Sequence, residues 1–397
     1  MSAEQSVQAK GWRLWLVFVL LLLVAGLIVG KMLSLNVQEQ AFLQKQGDAR
    51  SLRTAAIPAH RGVITDRNGQ PLSVSAPVST VWVNPQEFDL SSGSMDRLAV
   101  LLQTDRETLQ GKIAQSRSRQ FLYLKRHITP ALAEQIEQLK ITGLYVDREY
   151  KRFYPAAEVT THLVGFTNVD GVGQEGIELA YEEWLKGVQG KKLVMRDLLG
   201  RTVKHIREIE PMTQGQDLQL SIDLRLQYLA YRELKAAVQV HKADSAALVL
   251  LDAQTGEVLA MVNQPSYNPN DRSDLGAGMK SLRNRAVTDT FEPGSTMKPL
   301  TVAAALMSGQ YRPESLVDTS PGYLRVKGKT IRDHRNYGEI DVSHIITKSS
   351  NVGVTKLALS MHEDAVRNIF QNVGLGEVTG SGFPGEQSGV LPYPAKN

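Results

Sequence analysis

The sequence lacks cysteine altogether across its 397 residues. This absence excludes disulfide bonds, thiol nucleophiles, Fe–S clusters and cysteine-ligated zinc, although it leaves the cellular compartment open. The eight histidines form no HExxH pattern. A charged loop or strand edge explains His334 in Arg332-Asp333-His334-Arg335 better than a metal site does.

An excess of charge of one sign is also missing. The chain has 45 Lys and Arg against 41 Asp and Glu, so its formal net charge is only +4. Since no basic run is interleaved with aromatic residues, we expect no nucleic-acid partner. There are no internal repeats or low-complexity tracts, and the glycine-rich stretch 169–178 lacks the Gly-Lys-Ser/Thr ending of a phosphate-binding loop. A length of 397 residues with 42% hydrophobic content predicts two or three domains beyond any membrane segment.

One long hydrophobic run is present near the amino end. Leu14–Gly30 is uncharged and almost wholly apolar, and with the apolar residues just beyond it the run is long enough to span a bilayer. Lys10 and Arg13 precede it, so the remainder of the chain is expected outside the cytoplasm. We predict a cytoplasmic tail at 1–13 and an uncleaved signal anchor at 14–33. A cleaved signal peptide is the alternative, which the lack of a small-x-small cleavage site disfavours.

Local signals after the anchor predict short elements. Leu33 to about Pro58 is polar and rich in Gln, and we expect a helix there. Asn68-Gly69 predicts the turn of a β-hairpin. Thr129-Pro130 predicts an N-cap followed by an N1 proline. The helix that follows is expected to present one apolar face, formed by Leu132, Ile136 and Leu139.

A change in the residue pattern near residue 215 predicts a domain boundary. Beyond it, an alternating apolar pattern runs to Ile222, and Asp223 is expected to open a helix. Ala246–Leu251 is a continuous apolar run, and Val258–Val262 returns after a turn. This pattern predicts a β-hairpin whose first strand is buried.

Ser295 and Lys298 form the most informative motif, a Ser-x-x-Lys tetrad. On a helix, two residues at this spacing share one face with β-carbons roughly 5–6 Å apart. The helix N-terminus adds unpaired N–H groups and a positive field, and a lysine with a lowered pKa can take the serine proton. A lone tetrad is equally consistent with a polar helix start. Here Pro293-Gly294 interrupts the chain upstream, and the apolar run Leu300–Met307 predicts a buried helix. We therefore expect Ser295 at the exposed end of a core helix.

A second motif, Ser-x-Asn, follows as Ser349-Ser350-Asn351. Ser-x-x-Lys, then Ser-Asp-Asn, then Lys-Thr-Gly is the signature of penicillin-binding proteins and class A β-lactamases. This chain has Ser at the middle position of the second motif. A simple turn is the alternative, because Ser and Asn favour turns. The order of the two motifs favours a proton-relay role for Ser349 and a substrate-amide contact for Asn351.

Taken together, these residues resemble the class B penicillin-binding proteins, which are membrane-anchored peptidoglycan D,D-transpeptidases. The resemblance covers essentially the whole chain after the anchor. The motifs that resemble the non-catalytic pedestal domain are Arg61–Gly69, Arg152–Pro155, Gly173–Glu178 and Gly200-Arg201. Those that resemble the catalytic domain are Leu250–Met261, Asn284–Ala286 and the two serine motifs. The segments that resemble the division-specific branch of the family, rather than the elongation-specific branch, are Phe291–Ser295, Arg332–His334 and Ser349–Gly353.

The fold that this resemblance implies is α+β. It has a single N-terminal transmembrane helix and an elongated, β-rich, non-catalytic pedestal of the dimerisation type at residues 34–215. A transpeptidase domain with a serine β-lactamase-like sheet flanked by helices follows at 216–397. The family's third motif, Lys-Thr-Gly or Lys-Ser-Gly, is not found, since Lys327–Thr330 is out of order. We therefore expect that the sequence is truncated before that motif. The pedestal should fold, whereas residues 1–397 by themselves should be inactive.

The activity implied by the resemblance is acyl transfer through a serine ester, with no metal or organic cofactor. In this scheme Ser295 is the nucleophile, Lys298 the general base and Ser349 the proton relay, while Asn351 binds substrate. The oxyanion hole would combine the Ser295 N–H with a backbone N–H on the strand of the third motif.

The implied partners belong to the division septum of the bacterial inner membrane, with the catalytic part on the periplasmic side. They are peptidoglycan stem peptides, lipid-linked precursor glycan strands, β-lactam antibiotics, the membrane, a division glycosyltransferase and other divisome proteins. Two alternatives stay open at this point. One is a non-catalytic scaffold of the division complex. The other is a serine β-lactamase or penicillin sensor, which the anchor and the large pedestal fit poorly.

Overall fold

The structure is a computed structural model that describes residues 4–35, 45, 51–88, 93–196, 202–271 and 281–392. It mixes helices and strands, and the α+β class predicted from the sequence is confirmed. The chain divides into two compact units. Unit 1 contains residues 1–60, 77–151 and 187–215, and unit 2 contains 61–76, 152–186 and 216–397. The linear domain bounds expected from the sequence stay a prediction.

The first helix, α1, runs over Glu4–Leu33. Residues 12–33 of this helix are long and apolar enough to cross a bilayer, with none of the most apolar window buried in protein. The predicted anchor at 14–33 lies within this helix. The polar helix expected between Leu33 and Pro58 falls largely outside the described residues. Where that segment is described again, the expectation is wrong, because Leu52–Ile57 is a strand that pairs with Gly190–Arg196. That pairing is a long-range contact that local composition does not report.

The elements that follow are short. Between residues 51 and 153 they are β1 (Leu52–Ile57), β2 (Ile64–Thr65), β3 (Pro71–Val83), α2 (Ser94–Leu102), α3 (Arg106–Gln115), β4 (Leu122–Ile128), α4 (Pro130–Glu137) and β5 (Leu144–Phe153). Between residues 157 and 264 they are a 3₁₀ turn (Ala157–Val159), α5 (Thr161–Val164), α6 (Gly176–Ala180), α7 (Glu182–Leu185), β6 (Gly190–Arg196), β7 (Thr202–Glu210), β8 (Leu218–Gln219), α8 (Leu224–His241), β9 (Ala246–Leu251) and β10 (Val258–Gln264).

The last part of the described chain contains more helix than strand. Its elements are α9 (Arg285–Thr288), a 3₁₀ turn (Gly294–Met297), α10 (Lys298–Met307), β11 (Leu316–Asp318), β12 (Tyr323–Val326), β13 (Lys329–Arg332), β14 (Glu339–Asp341), α11 (Val342–Thr347), α12 (Asn351–Ser360) and α13 (Ala365–Asn372). Two pairs of short strands, β11 with β14 and β12 with β13, connect α10 to α11.

Within unit 1, the second part of β3 (residues 77–83) lies between β4 and β5, and the helices α2, α3 and α4 share one apolar core with these strands. A second sheet of antiparallel strands has the order β1-β6-β7. The predicted cap of α4 is confirmed, because Thr129 Oγ1 accepts a hydrogen bond from Leu132 N and Pro130 opens the helix. The apolar face predicted for this helix extends past the end of the helix. Leu139 lies beyond the end of the helix, although it packs against the same core as Ile136.

Within unit 2, the hairpin predicted at Asn68-Gly69 is present. Strands β2 and β3 are antiparallel, Asp66 N donates to Gln70 O at 2.9 Å, and Gly69 has φ +78°, which suits a residue without a β-carbon. Strand β2 also pairs in parallel with β8. Asp223 caps α8 as predicted, since its carboxylate accepts a hydrogen bond from Arg225 N.

The hairpin of β9 and β10 is confirmed, but the prediction that its first strand is buried is wrong. Strand β10 is the buried one, with Ala260 and Val262 packed against Ala230 and Tyr231 of α8. Most of β9 is exposed, and its Leu248 is only partly buried against the same cluster. An apolar run alone does not tell which strand of a pair faces the helix layer.

Three of the pedestal-like motifs meet at Glu178 within unit 2. Its carboxylate is fully buried and accepts hydrogen bonds from Arg61 Nε at 2.6 Å, Arg152 Nε at 2.6 Å and Ser73 Oγ at 2.7 Å. Arg61 Nη2 also donates to the Glu178 carbonyl at 2.7 Å. The two guanidinium groups compensate the cost of burying this carboxylate. The fourth motif, Gly200-Arg201, lies outside the described residues.

Candidate active site

Ser295 lies in the 3₁₀ turn that leads directly into α10. Gly294, immediately before it, has φ +62°, a left-handed conformation that glycine adopts without strain, and this allows the sharp entry after Pro293. Ser295 is exposed, whereas Lys298, one turn later, is only 8% exposed. This is the arrangement expected from the Ser-x-x-Lys spacing, with an accessible hydroxyl above a buried amine.

Helix α10 is held in place by a compact apolar cluster. Val302 and Ala305 on its buried face pack in the same cluster as Ile345 of α11 and Leu357 of α12. The expected burial of the run Leu300–Met307 holds for this face but not for its last residues, since Met307 is exposed. The cluster fixes α10 against the helix pair that carries the second motif.

Ser349 occupies the junction between α11 and α12. Ser349 N donates to Ile346 O at 3.0 Å and Ser350 N donates to Ile345 O at 2.9 Å, which is the Schellman pattern that ends a helix. In this pattern Ser349 is the left-handed residue, with φ +53°, a position that most often holds glycine. A serine in this left-handed conformation is strained, and the conformation directs its hydroxyl at Ser295 of the first motif.

Lys298 joins the two motifs. Its Nζ donates to Ser349 Oγ at 2.9 Å, to Ser349 O at 2.5 Å and to Asn351 Oδ1 at 2.6 Å. Ser349 Oγ in turn donates to Ser295 Oγ at 3.2 Å. The described atoms therefore form a continuous hydrogen-bonded chain from the Lys298 amine through the Ser349 hydroxyl to the Ser295 hydroxyl.

The environment of Lys298 lowers the pKa of its amine. Burial, the larger effect, lowers the pKa of Lys298 from its ordinary value of 10.5, because desolvation disfavours the ammonium form. The negative charge of Asp333 acts in the opposite direction and raises this pKa. A lowered pKa is what a lysine needs in order to act as a proton acceptor near neutral pH.

Asn351 lies beside this chain, with both ends of its amide engaged. Its Oδ1 accepts from Lys298 Nζ, and its Nδ2 donates to Arg332 O at 2.8 Å. The structure thus brings together all four residues proposed from the sequence: Ser295, Lys298, Ser349 and Asn351. In this state Asn351 contacts protein groups, and its substrate-binding role stays a prediction.

The reasoning from sequence placed two further residues, Ser350 and Asp333, in motif segments but gave neither a role at the site. Ser350 is fully buried, and its hydroxyl accepts from Gly353 N at 2.8 Å as the N-cap of α12. Asp333 accepts a hydrogen bond from Ser350 Oγ at 2.7 Å. A signal for Ser350 was present, since serine is a preferred N-cap and an apolar run follows it. The resemblance marked Asp333 within Arg332–His334, but no local pattern indicated its partner, which is 17 residues away.

Nothing in the described part of the chain suggests a metal centre. No group of three or more His, Cys, Asp or Glu side chains is placed to hold an ion among these residues. The site itself presents the exposed Ser295 hydroxyl, the buried Lys298 amine and the Ser349 hydroxyl between them.

Comparison with known proteins relates this geometry to a family. A penicillin-binding protein dimerisation domain matches residues 56–220, and a penicillin-binding protein transpeptidase domain matches residues 246–396. The chain is 42% identical over 394 residues to peptidoglycan D,D-transpeptidase FtsI of Escherichia coli K12, which covers 98% of this chain and 66% of the relative. It is 40% identical over 391 residues to the probable peptidoglycan D,D-transpeptidase PbpC of Pseudomonas aeruginosa, which covers 98% of this chain and 69% of the relative.

Solved structures give the same fold. A peptidoglycan synthetase from Bifidobacterium adolescentis matches with a TM-score of 0.62 at 26% identity, covering 86% of this chain and 67% of that one. Penicillin-binding protein PBP2 of Helicobacter pylori, solved in complex with MreC, matches with a TM-score of 0.69 at 22% identity, covering 86% and 68%.

The chain belongs to the class B penicillin-binding proteins, with a dimerisation domain followed by a transpeptidase domain. Within that family it is similar to peptidoglycan D,D-transpeptidases of the FtsI type. It spans 66% of the length of the Escherichia coli relative. The predicted truncation, and the predicted inactivity of residues 1–397 by themselves, stay predictions.

Proposed function

We propose that the protein is a serine-type D-Ala-D-Ala transpeptidase that cross-links peptidoglycan stem peptides through an acyl-enzyme on Ser295. The observation that carries this proposal is the hydrogen-bonded chain from Lys298 through Ser349 to Ser295. A buried amine linked to an exposed hydroxyl is the arrangement that activates a serine nucleophile. The kinship with named D,D-transpeptidases supports the choice of substrate.

The direction of proton transfer follows from the partners of Lys298. A neutral amine keeps two N–H donors and gains one lone pair. Ser349 O and Asn351 Oδ1 are acceptors only, so they hold the two N–H groups. The lone pair is then directed at Ser349 Oγ, because a hydroxyl can donate as well as accept. With the neutral amine both hydroxyl hydrogen bonds reverse, so that Ser349 Oγ donates to Lys298 Nζ and Ser295 Oγ donates to Ser349 Oγ. The Ser295 proton then passes to Ser349 as the Ser349 proton passes to Lys298.

The acylation step balances on these residues. Ser295 Oγ attacks the carbonyl carbon between the two terminal D-alanines and forms an ester, while the C–N bond of that amide breaks. The proton taken from Ser295 is held on Lys298 and returns through Ser349 to the departing D-alanine amine. An amine of a neighbouring stem peptide then attacks the ester, forms the new amide cross-link and regenerates the Ser295 hydroxyl. With a β-lactam the ring opens, no fragment departs, and the ester persists.

Labelling with a fluorescent penicillin tests the nucleophile. Membranes from cells that express the complete coding sequence should carry label on the peptide that contains Ser295, and Ser295→Ala should remove it while immunoblots show unchanged protein. Ser308→Ala, at the opposite and exposed end of the same helical segment, should keep the label. An adduct mapped to Ser349 or Ser350 would overturn the assignment.

Two measurements separate the transpeptidase from the alternatives. A non-catalytic scaffold would take no label at Ser295. A β-lactamase would release the penicilloyl group rapidly, and a sensor would hold it but join no amine to the acyl group. The proposal requires a long-lived penicilloyl ester and, with a D-Ala-D-Ala substrate, transfer of the acyl group to an added amine.

Our proposal for location is a single-pass protein of the bacterial inner membrane, with the catalytic part on the periplasmic side at the division septum. The apolar helix α1 and the preceding Lys10 and Arg13 support this orientation. A reporter that works only in the cytoplasm, fused after residue 40, should give no signal. A strong signal there contradicts the orientation.

The proposed partners are stem peptides, lipid-linked precursor glycan strands, β-lactams, a division glycosyltransferase and other divisome proteins. A related protein of Helicobacter pylori has been solved in complex with MreC, so a protein partner is known for that relative. Crosslinking in dividing cells, compared with cells in which division is blocked, tests whether the protein partners here belong to division.

A further inference from the structure

Asp333, an acidic residue directly after β13, accepts hydrogen bonds from residues of the second motif and so links that motif to the segment after β13. It is partly buried, and its side chain makes two hydrogen bonds to the start of α12. Oδ2 accepts from Ser350 Oγ at 2.7 Å, and Oδ1 accepts from Val352 N at 3.0 Å. These two bonds lie on either side of Asn351, so they fix the backbone from which the Asn351 side chain projects.

The same segment fixes the orientation of the Asn351 amide. The carbonyl of Arg332, the residue before Asp333, accepts from Asn351 Nδ2 at 2.8 Å. That bond requires the amide nitrogen to face the segment, and the amide oxygen then faces Lys298 Nζ at 2.6 Å. Residues 332 and 333 therefore determine both where Asn351 lies and which end of its amide meets the lysine.

Ser349 depends on the same attachment. Its left-handed backbone, φ +53°, is unfavourable for a residue with a β-carbon by about 1–2 kcal/mol and must be held by its neighbours. On one side it is held by the end of α11, and on the other by Ser350, whose hydroxyl is bonded to both Asp333 and Gly353 N. Loss of the carboxylate would leave the buried Ser350 hydroxyl with one partner fewer.

Asp333 also differs from an ordinary helix cap in its charge relation to Lys298. Within residues 332–335 and 348–352 the other ionisable side chains are Arg332, His334, Arg335 and Lys348, which are cationic when charged. The negative charge of Asp333 raises the pKa of Lys298 against the larger effect of burial. A cap placed elsewhere on the helix pair would lack this effect.

We propose that Asp333 is a positioning residue of the acyl-transfer site, which holds Ser349 and Asn351 against Lys298 and keeps a negative charge near its amine. The inference rests on the proposed function of Ser295. It concerns a residue outside the two serine motifs that touches neither the nucleophile nor the base directly.

The test is Asp333→Asn, which keeps the shape of the side chain and one acceptor but removes the charge. Acylation of Ser295 by penicillin is measured from pH 5 to 10 in the complete membrane protein. The plateau rate should fall about 10- to 100-fold, the loss typical of a small misplacement of reacting groups. The pH at half-maximal rate should also move lower, because removing a nearby negative charge lowers the pKa of Lys298.

A matched control is Asp341→Asn. Asp341 caps α11 by accepting from His344 N at 2.7 Å, so it is a capping carboxylate on the same helix pair that contacts neither Ser350 nor Val352. This variant should leave both the plateau rate and the pH midpoint unchanged. The proposal would be overturned if the plateau rate of Asp333→Asn stayed within twofold of wild type. It would also be overturned if the plateau fell while the pH midpoint did not move, because Asp333 would then act only as a helix cap.

A second measurement does not need acylation. Trace acetylation of Lys298 by acetic anhydride as a function of pH, quantified by mass spectrometry, reports the pKa of the amine directly. Asp333→Asn should shift that titration to lower pH, and an unshifted titration contradicts the inference even if penicillin never labels Ser295. An unlabelled wild-type Ser295 would instead count against the proposed function, so the two failures are distinguishable.

Discussion

The Ser349 hydroxyl donates a hydrogen bond of 3.2 Å to the Ser295 hydroxyl and accepts one of 2.9 Å from Lys298 Nζ. The Ser349 side chain, which lies 54 residues from Ser295 in the sequence, thus connects the base to the nucleophile. The position it occupies is costly for serine, because the helix-ending turn favours glycine at that residue. Function and local stability therefore make opposite demands on Ser349.

This opposition predicts different effects for two substitutions of Ser349. Ser349→Gly and Ser349→Ala both remove the hydroxyl, so both should slow acylation of Ser295 by about 10²–10⁴-fold. Ser349→Gly also relieves the strain of φ +53°, and it should unfold with a free energy about 1–2 kcal/mol higher than Ser349→Ala. Urea denaturation and penicillin labelling measure the two quantities on the same preparations.

The control for strain is Lys327→Gly. Lys327 has φ +46° in the turn between β12 and β13, outside the hydrogen-bonded chain. It should gain stability without losing acylation. Equal unfolding free energies for Ser349→Gly and Ser349→Ala would show that strain is not stored at this residue.

Lys298 should determine how acylation depends on pH. The base is the neutral amine, so the rate should rise with pH through the pKa of Lys298, which burial places below 10.5. Lys298→Ala should lower the rate about 10²–10⁴-fold and remove this dependence. Lys298→Arg should fail as well, because a guanidinium does not give up its proton. Lys348→Ala, at an exposed lysine next to the motif, is the control and should behave as wild type.

Local chemistry explains what the sequence could predict. The turn at Asn68-Gly69 and the helix caps at Thr129 and Asp223 depend on groups within a few residues of each other, and all three are present. The burial of Lys298 beneath an exposed Ser295 followed from an apolar run on one helix.

Contacts between distant segments explain what the sequence could not predict. Leu52–Ile57 is a strand only because Gly190–Arg196 pairs with it. The burial of β10 rather than β9 depends on which strand meets α8. Asp333 bonds to Ser350 across a turn whose path is set by two pairs of short strands. No periodicity in the chain reports any of these contacts.

The buried carboxylate of Glu178 should be critical for the stability of unit 2. Glu178→Ala would leave the guanidinium groups of Arg61 and Arg152 without their shared partner in a buried position. Breaking a buried ion pair in this way typically costs about 3–5 kcal/mol. Urea denaturation should show that loss. Glu183→Gln is the control, because Glu183 is exposed and pairs with Lys186 on the surface, so its effect should stay below about 1 kcal/mol.

The loop after α13 should respond to pH through Glu386. This carboxylate accepts from Thr379 N at 2.7 Å, from Ser381 Oγ at 2.9 Å and from Ser381 N at 3.2 Å, and these hydrogen bonds, that of the Thr379 side chain foremost, hold its pKa below the ordinary 4.5. Because the pKa of Glu386 is lower in the folded loop than in the unfolded chain, its carboxylate stabilises the loop fully at any pH above the unfolded-state pKa. This stabilisation is lost as the pH falls through the folded-state pKa. Hydrogen exchange of the Thr379 and Ser381 amides, corrected for intrinsic rates, should therefore show protection at pH 7 that disappears toward pH 3.

Glu386→Gln should have low protection at both pH values, whereas Glu377→Gln, an exposed neighbour, should titrate as wild type does. Equal protection of the wild-type amides at pH 7 and pH 3 would mean that the Glu386 charge does not hold the loop.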